Sequence, residues 1–331
     1  MKKYLLLTTG GTIASEPTEE GLAPAMDGNQ FAAYLSELTA NHQIQIENLY
    51  QLDSSNIQPE EWQGMARAIA GAFHRYDGIV MTHGTDTMAY TASVLSYMLR
   101  NIPIPVVLTG SQLPIQHPLT DGIENLRCAF AMASSGRAGV FVAFDRKIIL
   151  GTRAVKVRTT GFDAFESVNC SYAAIVDSTG LNLNEAVLQK ASGEFQLMDG
   201  LCDSVILVKL IPGLNPEIFD MLLKMQYKGI VIEAFGTGGL NFVRRDLISK
   251  LYQVVQAGTT VVVCSQCLYE RSDFTIYQAG KKVLKSGVLQ AYDMTTEAAV
   301  TKLMWALGQT GRPDEIKRIF ETCYAGEVSL A

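Results

Sequence analysis

Short runs of aliphatic and β-branched residues recur along the chain, separated by stretches whose apolar positions repeat at helical spacing. The runs Tyr4–Thr8, Ile44–Leu52, Gly78–Thr82, Pro105–Thr109, Val140–Phe144 and Lys147–Leu150 predict strands in the first half. Val205–Leu210, Gly229–Phe235 and Thr259–Cys264 predict three more in the second. After Pro59-Glu60-Glu61, a favourable helix opening with proline and acids in the first turn, Trp62, Met65, Ala66, Ile69 and Phe73 fall on one helical face. Strands and helices alternating this regularly predict an α/β fold, a parallel sheet covered on both sides. The periodicity lapses in the polar stretch from Asn182 to Asp203. This predicts a larger N-terminal α/β domain over 1–185, a linker over 186–204 and a smaller C-terminal α/β domain over 205–331.

Length agrees: 331 residues accommodate two domains at roughly 150 residues each and bury a core without disulfide or metal staples. With 48% hydrophobic and 18% charged residues the chain is neither disordered nor fibrous. No apolar run approaches the ~20 residues of a membrane helix. Lys and Arg total 27 against 33 Asp and Glu, a net charge of −6, and the basic pairs are short and scattered. A nucleic-acid partner, which calls for a basic stripe, is not expected. Met1–Leu7 opens like an export signal, but the apolar stretch ends at Thr8-Thr9-Gly10-Gly11, short of the roughly 7–15 residues such a signal needs. A first strand and a cytoplasmic protein are expected. Six cysteines spread through the chain read as reduced thiols.

In open α/β sheets ligands bind beyond the carboxyl ends of the strands. Four strand candidates end in Thr9-Gly10-Gly11-Thr12, Asp53-Ser54-Ser55-Asn56, His83-Gly84-Thr85-Asp86-Thr87 and Gly110-Ser111-Gln112. Each alone fits turn chemistry. Gly10-Gly11 suits a tight turn, Asp53 or Ser54 suits a helix cap, Asp86 suits the N-cap of the helix through Tyr90, and His83 suits a hydrogen-bonded core-edge histidine. Four such clusters on one edge are harder to assign to turns. Four histidines without close pairing do not make a zinc site. No phosphate-binding glycine loop and no G-x-S-x-G elbow is present. Cys264-Ser265-Gln266-Cys267 continues a strand and reads as structural. A hydroxyl becomes a nucleophile when a base takes its proton. Lys156, in the segment after Lys147–Leu150, offers an amine that an aspartate can orient.

These residues resemble the bacterial-type L-asparaginases, in particular the cytoplasmic type I branch. Thr9–Ala14 is similar to one family signature and Tyr76–Ala92 to a second, while Gly161–Phe165 and Asp293–Ala298 also match type I members. The resemblance spans nearly the whole chain. It implies a two-domain α/β fold and hydrolysis of the L-asparagine side-chain amide through an acyl-enzyme. Thr12 would be the nucleophile, with Thr85, Asp86 and Lys156 as the second threonine and its partners. Asp53, Ser54, Ser55, Gly84, Gly11 and Ser111 would bind substrate, and Gly110 would approach its amide. The resemblance implies no metal or organic cofactor, and a homodimer or homotetramer.

Three departures qualify it. Leu22 stands where many members have a tyrosine, so Tyr277 becomes the candidate helper. Val155 and Glu233 stand where some relatives bind a regulatory asparagine, with only Cys267 matching, which predicts no allosteric activation. Serines at 54 and 55 leave asparagine-against-glutamine preference open, so a glutaminase-asparaginase is the near alternative. A tRNA-dependent amidotransferase component is similar but carries an added N-terminal segment, for which a strand starting at Tyr4 leaves no room. From another class, a non-catalytic small-ligand-binding module would have no need of Lys156.

Overall fold

A computed structural model describes residues 1–18, 21–24, 31, 33, 34, 42–188 and 192–329. The chain divides into two compact units, Met1–Asp199 and Gly200–Ala331. The first carries a sheet of eight strands: β1 (Lys3–Gly10), β2 (Gln43–Leu52), β3 (Gly78–Thr82), β4 (Pro105–Thr109), β5 (Gly139–Phe144), β6 (Lys147–Leu150), β7 (Ala174–Asp177) and β8 (Gly180–Leu183). Their order is β8-β7-β6-β5-β4-β3-β1-β2. Strands β2, β1, β3, β4 and β5 are parallel, with Leu6 beside Val80, Val80 beside Val107 and Val107 beside Phe141.

Successive side chains on a strand point to opposite faces. Tyr4, Leu6, Val80, Val107 and Phe141 pack with Leu126, Ala129, Phe130 and Ala133 of helix α3 (Gly122–Ala133), following α1 (Pro59–Ala72) and α2 (Met88–Met98). Leu5, Leu7, Ile79, Met81, Val106, Leu108 and Val142 alternate with them and are equally buried. Both faces are therefore covered, and each such side chain contributes about 1.5–3 kcal/mol by its burial. Helix α1 begins where the acids and proline indicate: the Glu61 carboxylate accepts from the Gln58 backbone N–H at 2.9 Å. It buries Trp62, Met65, Ala66, Ile69 and Ala72, while Phe73 lies beyond its end in a short 3-10 turn.

The sheet is mixed rather than parallel throughout. Between β5 and β6 stand only Asp145 and Arg146, at φ 48° and 62°. Two left-handed residues make a tight hairpin, and two residues cannot make a parallel crossover. From β5 outward β6, β7 and β8 are accordingly antiparallel. The first unit also includes residues that the lapse in periodicity assigns to a linker, since Gln196 and Leu197 pair with Arg100 and Leu99.

The second unit is a four-stranded parallel sheet of β9 (Val205–Lys209), β10 (Gly229–Ala234), β11 (Thr260–Ser265) and β12 (Leu289–Gln290), in that order. One face, with Ile230, Ile232, Val261 and Val263, packs on α4 (Ile218–Lys224), α5 (Leu247–Gln256) and α6 (Gln278–Lys285) through Phe219, Leu251 and Val283. The other, with Val231 and Val262, packs on α7 (Thr296–Gln309) and α8 (Pro313–Glu321) through Leu303, Ile316 and Phe320. Behind α7, Lys302 and Glu327 form a fully buried ion pair at 2.7 Å. The Lys302 ammonium also donates to the carbonyls of Phe320 and Thr322, and the Glu327 carboxylate accepts from the amides of Tyr324 and Ala325. A buried charge is tolerable only when paired and hydrogen-bonded in this way.

Candidate active site

From β1 the chain goes to β2 on one side and returns to the other side of β1 for β3. The loops leaving β1 and β3 therefore lie side by side at a change of winding direction, where open sheets form their ligand crevices. Glycines let these loops touch. Gly11 has φ 78°, and a Cβ there would stand 2.4 Å from the Gly84 nitrogen. A Cβ on Gly84 would meet the Ser54 hydroxyl at 2.6 Å, and one on Gly110 the His83 carbonyl at 2.3 Å. Strand-end segments from β1, β2, β3 and β4 are thus brought together by positions where nothing but hydrogen fits.

On this edge the Lys156 ammonium donates to the Thr85 hydroxyl at 2.8 Å and to the Asp86 carboxylate at 2.6 Å. Thr85 is buried, the Lys156 side chain is largely buried, and the Asp86 side chain is 64% exposed. Lys156 reaches the site from the short strand Ala154–Lys156, which pairs antiparallel with Phe165–Ser167. Asp86 is not a helix cap: the N-cap of α2 is Thr87, whose hydroxyl donates to the Ser54 carbonyl at 2.8 Å. Asp53 does cap, accepting from the Ser55 amide and hydroxyl over the 3-10 turn Ser54–Asn56. The Ser55 hydroxyl first, then its amide, hold the Asp53 carboxyl below its usual range. It remains an exposed carboxylate.

Three expected residues contribute in quieter ways. Ser111 is buried with its hydroxyl turned to the Leu113 carbonyl. Ser54 is buried against Gly84. Thr12 is half-buried in the turn Thr12–Ala14, next to Gly11. His83 is structural. With Nδ1–H donating to the Gly84 carbonyl at 2.7 Å, Nε2 accepts from the Thr91 hydroxyl at 2.8 Å, and Trp62 Nε1–H donates to the same hydroxyl at 2.9 Å. Burial lowers the His83 pKa to about 4, so the ring is neutral.

Two residues that no motif marks shape the β4 loop. The Asp121 carboxylate accepts from the Gln112 and Leu113 amides, and the Asn125 amide donates to the Gly110 carbonyl at 3.0 Å. Their only sequence signal is proximity to the start of a helix.

The Leu22 side chain lies outside the described residues. Tyr277 belongs to the second unit, exposed just before α6. Val155 is buried. The Glu233 carboxylate pairs with Lys209 at 3.2 Å and accepts from the Thr296 hydroxyl at 2.8 Å, while Cys267 is exposed. None of the six cysteines is in a disulfide, and burial pushes the Cys264 thiol up to about 12.

The model of the N-terminal asparaginase domain matches residues 3–189, and that of the glutaminase/asparaginase C-terminal domain matches residues 204–320. The chain belongs to the asparaginase family. Among family members, an L-asparaginase of Thermococcus kodakarensis is 43% identical over 99% of both chains. A solved structure of the thermostable L-asparaginase from Thermococcus kodakarensis, 42% identical, superposes with a TM-score of 0.94 over 99% of this chain and 100% of that one. L-asparaginase I of Vibrio cholerae has a TM-score of 0.89 at 30% identity, over 99% of each chain. A component of the glutamyl-tRNA(Gln) amidotransferase of Pyrococcus furiosus is 39% identical over 98% of this chain and 76% of its own length. In this asparaginase-family chain no group of three His, Cys, Asp or Glu among the described residues is placed to hold a metal ion. No helix among them is long and apolar enough to cross a membrane.

Proposed function

We propose that this chain hydrolyses the side-chain amide of L-asparagine to L-aspartate and ammonia. The observation that carries the reading is Lys156, whose Nζ lies 2.8 Å from the Thr85 hydroxyl and 2.6 Å from Asp86. A cap or a turn has no need of an amine there, whereas a hydroxyl nucleophile needs a base.

In this mechanism Thr12 attacks the amide carbon and its proton passes to the Thr85–Lys156–Asp86 relay. The relay returns a proton to the leaving nitrogen, ammonia departs, and water attacks the Thr12 ester to release aspartate. Backbone N–H groups at Thr12 and Thr85 are the candidate oxyanion donors, each worth about 3 kcal/mol in comparable sites, whereas the Gly11 N–H already donates to the Leu52 carbonyl at 3.0 Å. The ionised Asp53, together with Asp86, receives the substrate's α-ammonium. Ser54, Ser55 and Gly84 receive its carboxylate, and the Gly110–Ser111 backbone faces its amide. Tyr277 is the candidate helper for Thr12. The protein acts as a cytoplasmic homodimer or homotetramer without cofactor, and Val155 and Glu233 leave it unregulated by asparagine.

Ammonia release from L-asparagine and L-glutamine, with wild type, Thr12→Ala and Thr85→Ala, tests this reading. Turnover of asparagine that disappears in both variants is expected. Comparable rates on glutamine would instead make the protein a glutaminase-asparaginase. Turnover retained in both variants would discard the threonine mechanism.

A further inference from the structure

The Thr85 hydroxyl has a second neighbour besides Lys156. Gln112 Oε1 lies 3.4 Å from it. The other end of the same amide is occupied: Gln112 Nε2 donates to the carbonyls of Thr159 at 3.1 Å and Gly161 at 3.0 Å. A side-chain amide has two donors on nitrogen and only acceptors on oxygen. With both donors committed to carbonyls, the amide has one orientation and presents its oxygen to Thr85. The Gln112 backbone is held as firmly, since its N–H donates to both oxygens of Asp121 at 3.0 Å.

An ammonium can donate and cannot accept. While Lys156 is charged, the Thr85 oxygen accepts from it, and the Thr85 proton must go elsewhere. Gln112 Oε1 is where it goes.

We infer that Gln112 is a positioning residue that sets the direction of the Thr85 hydroxyl, so that one lone pair of Thr85 always faces Lys156. At 3.4 Å the bond is long and weak. It orients the hydroxyl without holding its proton, which is free to turn to Lys156 once that amine is neutral. Gln112 also ties the relay to the segment after Lys156, because Thr159 and Gly161 stand three and five positions beyond that lysine.

The inference rests on the amidase reading for its kinetic consequence and on geometry alone for its structural one. Two variants separate these: Gln112→Leu, which removes acceptor and donors, and Gln112→Glu, nearly the same shape, whose protonated carboxyl donates to one of the two carbonyls and keeps its other oxygen toward Thr85. Methyl NMR of Thr85 reads the side-chain rotamer, and steady-state ammonia release reads kcat and KM. In Gln112→Leu, Thr85 should average between rotamers and kcat should fall about threefold, the lower end of the effect of one lost hydrogen bond, with KM unchanged within about twofold. In Gln112→Glu, Thr85 should keep one rotamer and kcat should exceed that of the Leu variant. An unmoved Thr85 in Gln112→Leu, or equal losses of kcat in the two variants, would overturn the inference. If wild type releases no ammonia while Thr85 still averages in Gln112→Leu, the amidase reading fails and the positioning role stands.

Discussion

Gly11 and Gly84 meet backbone against backbone: a methyl on Gly11 would stand 2.4 Å from the Gly84 nitrogen and 2.9 Å from the His83 carbonyl carbon. Neither neighbour is a side chain that can swing aside, and Gly11 has φ 78°, which favours glycine. Gly11→Ala must therefore push the β1 loop away from the β3 loop. Displacements near 1 Å cost about a hundredfold in rate. Ammonia release should fall by that order, with destabilisation of about 1–3 kcal/mol measurable by denaturant unfolding.

Asp86 separates activity from stability. Its side chain is 64% exposed, and exposed ion pairs contribute about 1 kcal/mol or less. Asp86→Asn should leave the thermal midpoint nearly unchanged while lowering turnover about 10²–10⁴-fold, the range for loss of acid–base function. A midpoint that drops in parallel with activity would reassign Asp86 to structure.

His83 makes stability depend on pH. Its folded pKa of about 4 lies below the ordinary value of 6.5 because burial disfavours the charged ring. Between those values the unfolded chain binds the proton and the native one does not. Stability is thus unaffected above about pH 6.5 and is lost as pH falls towards 4, by on the order of 3 kcal/mol. Unfolding free energies across this range should slope more steeply for wild type than for His83→Gln, which does not titrate.

Lys302 and Glu327 are both fully buried. Removing one partner of such a pair strands the other charge, at a cost of about 3–5 kcal/mol. Lys302→Met should destabilise the second unit by that amount, and Lys302→Met with Glu327→Leu should recover much of it. Chemical denaturation of the two variants gives both numbers.

Much of this architecture is readable from the chain. Strand runs are apolar enough to locate β1 to β4, whose ends form the edge, but not the short strand Ala154–Lys156 that carries the amine, and the clustering of Thr12, Asp53–Ser55, Thr85–Asp86 and Ser111 at strand ends follows from α/β topology. The β5–β6 hairpin is hidden because Asp145-Arg146 lacks the glycine or asparagine that usually marks left-handed turn residues. Asp86 looks like a cap because caps and ion-pair partners are the same residue types; its role depends on Lys156, which is distant in sequence. Gln112, Asp121 and Asn125 act through side-chain amide and carboxylate geometry that follows no periodicity. Lys156 is legible for a chemical reason, since a hydroxyl nucleophile lacks a base of its own.

Asp86 and Lys156 are 70 positions apart in the chain, with α2, β4, α3, β5 and β6 between them. Bringing such distant residues together costs loop-closure entropy that local contacts do not. During synthesis from the N-terminus, a chain that has emerged only as far as α3 holds the threonines and the acid without the amine. The completed ion pair therefore marks a first unit assembled past β6: nascent or truncated chains lacking residue 156 should be catalytically silent even where their first five strand segments are already made.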